Sequence, residues 1–296
     1  MITYLQAIVL GILQGITELF PISSLGHSVI LPWLLGWHTI LSSESQAESF
    51  FLSFLVALHV ATGTALIIYY RHTWVRIIKG FVGSLQSRKI DNPNAKLAWL
   101  LLAATIPAAV FGLAFEHILR TQFAKPLAAI IFLFINAIIL FLGDRYQRLH
   151  PSAQPKNFSI ETTSNNISQT LTLRRAMIIG VAQIGALFAG ISRSGITMVS
   201  GLYSGLNYED AARFSFLLAT PIIFGAGLYK LPDFFSNLDA GVRGPILVGA
   251  LVTGISAYLS VRFLDKYFAD KTLRPFAIYS LVVSCLALVI GLFKGF

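Results

Sequence analysis

Two short windows of this chain hold the side chains best suited to moving protons and holding anions. In the first, Gln14 and Glu18 are four residues apart and share one face of a helix. Ser23, Ser24 and His27 follow closely. Glu18 can ligate a divalent cation or act as a base, and His27 beside Ser24 forms a nucleophile and base set. The second window, Gly190-Ile191-Ser192-Arg193-Ser194-Gly195-Ile196-Thr197, reads as an anion cradle. Gly190 and Gly195 permit a sharp turn, and Ser192, Ser194 and Thr197 supply hydroxyl donors. The helix that follows presents free N–H groups, and Arg193 offers a fork that matches phosphate oxygens. A carboxylate, an imidazole and a serine facing such a cradle point to phosphoryl transfer, where positioned donors and a metal stabilise charge on phosphate oxygens. Mg²⁺ or Ca²⁺, which take oxygen ligands, suits Glu18 and Gln14.

The windows are altered copies of one another. QGITELFPISSLGHS (Gln14 to Ser28) aligns without a gap on QIGALFAGISRSGIT (Gln183 to Thr197), so Gln14 meets Gln183, Ser23 meets Ser192 and Gly26 meets Gly195. Glu18 and His27 have apolar counterparts, and Arg193 stands opposite Ser24. A second pair, SFLVALHVATG (Ser53 to Gly63) and SFLLATPIIFG (Ser215 to Gly225), extends the repeat. One site built from both copies is the expectation.

The elements that position these residues are membrane helices. Apolar residues make up 55% of the chain and charged residues 12%, about half the share usual in a soluble domain. Six nearly charge-free stretches, 50–70, 97–115, 126–143, 214–231, 245–264 and 275–293, approach the roughly 20 residues needed to cross a bilayer. Shorter apolar segments, about 3–20 with 26–37 and 175–190 with 195–206, break at the two windows and read as re-entrant hairpins, tolerated at membrane depth only when buried in protein or lining a cavity. The expected fold is all-α and polytopic, with six transmembrane helices plus two re-entrant hairpins in an inverted repeat. Repeat 1 spans about 1–145 and repeat 2 about 175–296, joined by a cytoplasmic linker whose stretch 151–170 is rich in Pro, Ser and Asn.

Loops 71–96, 144–175 and 265–274 carry most of the Lys and Arg, against Arg120, Lys125 and Arg243 on the opposite side. The positive-inside rule puts the basic loops in the cytoplasm and both termini outside. The net charge of +9 is not nucleic-acid affinity, because no basic run is interleaved with aromatics. The single Cys285 excludes a disulfide framework, and no removable signal peptide is expected at the N-terminus. His59 has no polar company and reads as core or lipid-facing packing; His72, His117 and His150 lie at membrane edges. Trp33, Trp37 and Phe234 read as interfacial anchors.

At these motifs the chain resembles the bacterial undecaprenyl-diphosphate phosphatase family of the bacitracin-resistance type, known for an (E/Q)xxxE motif, a following His, and a PGxSRSxxT motif. Gln14 and Glu18 fill the first motif and His27 the His; Gly190, Ser192, Arg193, Ser194 and Thr197 fill the second, with Ala189 in place of its proline. The resemblance implies hydrolysis of undecaprenyl diphosphate to the monophosphate and phosphate, recycling the lipid carrier of peptidoglycan synthesis in the bacterial inner membrane. It further implies a divalent cation, a site open toward the periplasm and competition by bacitracin for the lipid substrate; a homodimer is entertained beside these. Catalysis is then expected of Glu18, Ser24, His27 and Arg193, and substrate binding of Gln14, Ser23, Gly190, Ser192, Arg193, Ser194 and Thr197. The nucleophile stays open among Ser24, His27 and a metal-bound water. The alternative is an inverted-repeat carrier or flippase of a polyprenyl phosphate or small anion, which needs the cradle but has no use for clustered Glu18, Ser24 and His27.

Overall fold

The structure is a computed structural model that describes residues 2–37, 50–115, 125–151, 160–230 and 240–295. His117, Arg120, Lys156, Phe234 and much of the loops around them lie outside the described residues. Among the described residues the regular structure is entirely helical: α1 Tyr4–Thr17, α2 Ser24–Leu34, α3 Phe50–Tyr69, α4 Arg71–Ser87, α5 Pro93–Ala114, α6 Pro126–Leu149, α7 Ile160–Thr170, α8 Leu173–Gln183, α9 Arg193–Tyr203, α10 Tyr208–Tyr229, α11 Ala240–Asp270 and α12 Arg274–Lys294. A 3₁₀ turn, Ile184–Leu187, follows α8.

Five helices are long and apolar enough to cross a membrane, α5, α6, α10, α12 and Arg243–Asp270 of α11. Two bent pairs raise the number to as many as seven: Phe54–Tyr69 with Arg71–Ser87, bent by 85°, and Ser164–Thr170 with Leu173–Leu187, bent by 97°. The protein is therefore a polytopic membrane protein. Its outer surface carries the exposed Ile106, Val110, Leu251, Leu259, Leu286 and Leu292 that lipid would cover, since acyl chains solvate apolar side chains as well as a protein core does.

Two stretches expected as loops are helical. The basic stretch after Tyr70 forms α4, whose exposed Val75, Ile78, Val82 and Leu85 repeat at helical spacing while Arg71, Arg76 and Lys79 supply charge; such a helix suits the membrane interface. The polar stretch expected as a linker forms α7 from residue 160 onward, because Ile167 and Leu171 insert into the core and Ser164 and Ser168 are buried beside them.

The motif helices are held by close backbone packing between the two halves. α1 lies against α11, and a Cβ on Gly11 would stand 2.7 Å from the Gly249 carbonyl oxygen, one on Gly15 2.6 Å from that of Thr253. The Thr253 hydroxyl also donates to the Gly11 carbonyl at 3.0 Å. Small residues four apart permit this approach and place Gln14 between them. In the second half α8 lies as closely on α5, where a Cβ on Gly180 would be 2.4 Å from the Ala104 oxygen. Each motif helix thus packs on a long helix of the other half. α10 runs through the centre and buries Phe214, Phe216, Leu217 and Leu218.

Candidate active site

The breaks after α1 and after the 3₁₀ turn meet beside α6. Ser23 and Ser192 cap α2 and α9 in the same way: each hydroxyl accepts from the backbone N–H three residues on, Gly26 at 3.2 Å and Gly195 at 3.1 Å. The Ser23 hydroxyl also accepts from the Gly190 N–H at 3.1 Å, which ties one break to the other. The backbones approach so closely there that a Cβ on Gly26 would be 2.9 Å from the Gly190 Cα. Gly190 has φ +113 and its missing Cβ would lie 2.4 Å from the Ala129 oxygen, so only glycine fits. Ser23, at φ 71, is a non-glycine residue held in the left-handed region, a strain that surrounding bonds must impose.

Asn136 of α6 is one of those constraints. Its amide nitrogen donates to the Pro21 carbonyl at 3.1 Å and its oxygen accepts from the Ser192 N–H at 3.0 Å, so one buried side chain holds both breaks. His27 is another. Its Nδ1 donates to the Ser23 carbonyl at 2.7 Å, Nε2 meets the Tyr279 hydroxyl at 3.0 Å, and the ring stacks on Tyr279 of α12.

Glu18 is the centre of the arrangement and only 6% exposed. One carboxylate oxygen, Oε1, accepts from an Arg193 terminal nitrogen at 3.0 Å. The other, Oε2, accepts from the Ser24 hydroxyl at 2.5 Å and from the Gln14 amide at 3.1 Å. His59 of α3 also reaches it: Nδ1 donates to the Leu55 carbonyl at 2.8 Å, and Nε2 lies 3.3 Å from Oε2. The expectation that His59 merely packs in the core or against lipid is corrected. The Leu55 carbonyl one turn back turns the ring edge inward, toward a carboxylate 41 positions earlier in the chain.

A cleft of about 260 Å³ opens beside Glu18. Its polar wall is Thr17, Glu18, Ser23, Ser24, His59, Gln183, Ser192 and Arg193, and the remainder is apolar, including Leu25, Val56, Ala108, Leu187, Ile223 and Ala226. Glu18, Ser23, Ser24, Ser192 and Arg193 thus reach the cleft as expected. Gln14, His27, Gly190, Ser194 and Thr197 do not line it; they stand behind it, bonded to other groups of the two windows and to α10 and α12. The Ser194 hydroxyl pairs with Ser192 at 3.0 Å and donates to the Phe20 carbonyl at 3.3 Å. That of Thr197 donates to the Arg193 carbonyl at 2.7 Å and pairs with Ser215 at 2.7 Å. Sequence reasoning missed His59, Asn136 and Gln183 as site residues. Two signals were available: an Asn inside an otherwise apolar helix, for Asn136, and the alignment of Gln183 on Gln14.

The described residues hold no cluster of three His, Cys, Asp or Glu that could cage a metal. The donors available are hard oxygens: the Glu18 carboxylate and the buried Gln14 Oε1, which has no hydrogen-bond partner among the described residues. Of these two only Glu18 lines the cleft, so a cation there would take its other ligands from phosphate and water, as Mg²⁺ commonly does.

Comparison with known proteins reaches nearly the whole chain. Residues 7–286 match the family model of the bacitracin resistance protein BacA. An undecaprenyl-diphosphatase of Mycobacterium avium is 47% identical, covering 97% of this chain and 97% of its own length. Undecaprenyl-diphosphatase 2 of Frankia alni is 45% identical over 97% of this chain and 98% of that protein. A third, undecaprenyl-diphosphatase 2 of Burkholderia thailandensis, is 44% identical over 91% and 90%.

Proposed function

The chain belongs to the BacA family of bacitracin resistance proteins, and from that premise we propose that it hydrolyses undecaprenyl diphosphate to undecaprenyl phosphate and inorganic phosphate within the membrane. The observation that carries the chemistry is the Ser24 hydroxyl donating to Glu18 Oε2 inside the cleft, with Arg193 beside them. A nucleophile within reach of a base, the base itself oriented by further groups, is the arrangement that activates a weak nucleophile.

In this mechanism Ser24 Oγ gives its proton to Glu18 Oε2 as its electron pair forms a bond to the terminal phosphorus. The bond from that phosphorus to the bridging oxygen breaks, and its pair leaves on the lipid monophosphate. Water then attacks the phosphoserine, Glu18 returns the proton to Oγ, and the water's atoms depart in inorganic phosphate. The Arg193 N–H groups not engaged with Glu18 hold phosphate oxygens as charge develops. His59 and Gln14 keep Oε2 turned toward Ser24. His27 acts through Ser23 by bracing the strained turn that presents Ser24; with both ring nitrogens engaged outside the cleft, it is less well placed than Ser24 to attack phosphorus. A divalent cation would be held by the Glu18 carboxylate together with the diphosphate, Gln14 standing behind Glu18, and when bound it would supply positive charge against the phosphate oxygens.

Several finer statements belong to the same proposal. The two halves form an inverted repeat, supported by the aligned windows and the reciprocal packing of α1 on α11 and α8 on α5. The basic helix α4 and the other Lys- and Arg-rich segments face the cytoplasm, with both termini outside and the cleft opening to the periplasm. Bacitracin competes for the same diphosphate lipid. A carrier would use the cradle, but the Ser24 to Glu18 bond has no evident part in transport.

The test is phosphate release from farnesyl and undecaprenyl diphosphate by purified protein in detergent, with and without EDTA. Release that depends on Mg²⁺ or Ca²⁺ and traps phosphate on Ser24 is expected. Absence of release under any metal condition would sink the reading.

A further inference from the structure

Gln183 ends α8 at the edge of the cleft and is 2% exposed. Neither its amide nitrogen nor its amide oxygen has a hydrogen-bond partner among the described residues. A buried amide left unpaired is costly, so one that lines a cavity marks a place where something else completes its bonds.

The repeat explains how the amide came to be unpaired. Gln183 is the counterpart of Gln14, and residue Leu187 is the counterpart of Glu18. In the first copy the Gln14 amide is used on the carboxylate one turn later, at 3.1 Å. In the second copy that carboxylate is a leucine, and the turn between them tightens to 3₁₀ over Ile184–Leu187. The amide is therefore released from internal work on the same cavity wall as Ser192 and Arg193. A neutral donor beside a guanidinium suits an anion, and a carboxamide offers N–H to an anionic oxygen without adding charge to the site.

We propose that Gln183 is a substrate-binding residue whose amide nitrogen donates to a non-bridging oxygen of the diphosphate, its amide oxygen accepting from water that enters with that group. The first copy's glutamine thereby serves the base and the second copy's serves the substrate. The inference rests on the diphosphatase reading, since it takes the ligand from it.

Methionine matches glutamine in length and shape but donates nothing, so Gln183→Met against wild type is the informative comparison. For Gln183→Met we expect KM for farnesyl diphosphate to rise about tenfold, the value of one well-placed hydrogen bond to a charged group, with kcat changed much less. The thermal midpoint of the substrate-free protein should hold or rise, because an unsatisfied polar group has been removed. A role confined to structure predicts the reverse pattern, a lower midpoint at unchanged KM, and that pattern would overturn the proposal. Unchanged KM and unchanged midpoint would overturn it as well. Should the methionine variant fail to purify, Gln183→Glu is the second probe: a carboxylate facing the diphosphate should raise KM more than methionine would, and wild-type KM in that variant would refute the contact. Failure of the wild-type protein to hydrolyse any prenyl diphosphate would instead strike the diphosphatase reading.

Discussion

Two carboxylates gather donors from several helices here, Glu18 buried and Asp265 partly buried, and only Glu18 lines the cleft. Glu18 takes Arg193, Ser24 and Gln14, with His59 at 3.3 Å. Asp265 of α11 takes Arg213 of α10 through Nε at 2.8 Å and the Tyr69 and Tyr70 hydroxyls at 3.1 Å each. Arg213 also reaches Glu209 at 2.9 Å. The ingredients are alike, but the second cluster fastens α10 and α11 to the bend between α3 and α4, and none of these residues lines the cleft. The difference lies in what can enter. A hydroxyl beside a carboxylate becomes a nucleophile only where an electrophile can be placed against it, whereas tyrosines around an aspartate within packed helices serve cohesion.

That contrast can be broken most directly at Ser24. Ser24→Ala should lower kcat by about 10⁴-fold or more, as loss of a nucleophile does, while leaving the thermal midpoint near wild type. Substantial turnover in that variant would transfer the attack to water or to His27. Arg193→Ala comes next, with an expected loss of about 100- to 1000-fold in kcat/KM, the range seen when an oxyanion donor is removed. Steady-state phosphate release measures both.

The structural cluster should respond the other way. Asp265→Ala leaves the Arg213 guanidinium short of its bidentate partner, and we expect a stability loss of about 2–3 kcal/mol, Glu209 retaining part of the interaction. Turnover per folded molecule below the midpoint should change less than about threefold. A large kcat defect at unchanged stability would show that the two clusters are coupled and that the distinction drawn between them is wrong. The smallest effect is expected at the brace. Tyr279→Phe removes the hydroxyl that meets His27 Nε2 and should reduce kcat by roughly fivefold, about the value of one neutral hydrogen bond. His27→Ala should reduce it further by freeing the Ser23 carbonyl as well. A Tyr279→Phe loss greater than that of His27→Ala would show that Tyr279 acts on the substrate rather than through His27.

The two windows, their asymmetry and the membrane class were all legible in the chain. Glu18 and Arg193 could be assigned to one site before any coordinates, because the aligned repeat puts the carboxylate in one copy and the guanidinium in the other. Ser24 followed from its place in the first window. His59 was not legible: histidine within an apolar run has the same neighbours in sequence whether it faces lipid or a carboxylate, and its direction depends on the rotation of α3 against α1. The orientation of His27 was misleading for a related reason. Its spacing from Ser24 suggests a shared face, but the strained Ser23 turn points the ring at α12.

The sequence by itself determined composition, hydrophobic span length and duplication, which depend on residue type and order along the chain. Which polar groups share a cavity was decided only by tertiary structure. Glycine-mediated approach of α1 to α11 and α8 to α5 brings the two breaks together, and Asn136 locks them side by side. From that placement, the carboxylate, the hydroxyl, the guanidinium and the unpartnered amide of Gln183 come to face one space, although no short stretch of chain contains them all.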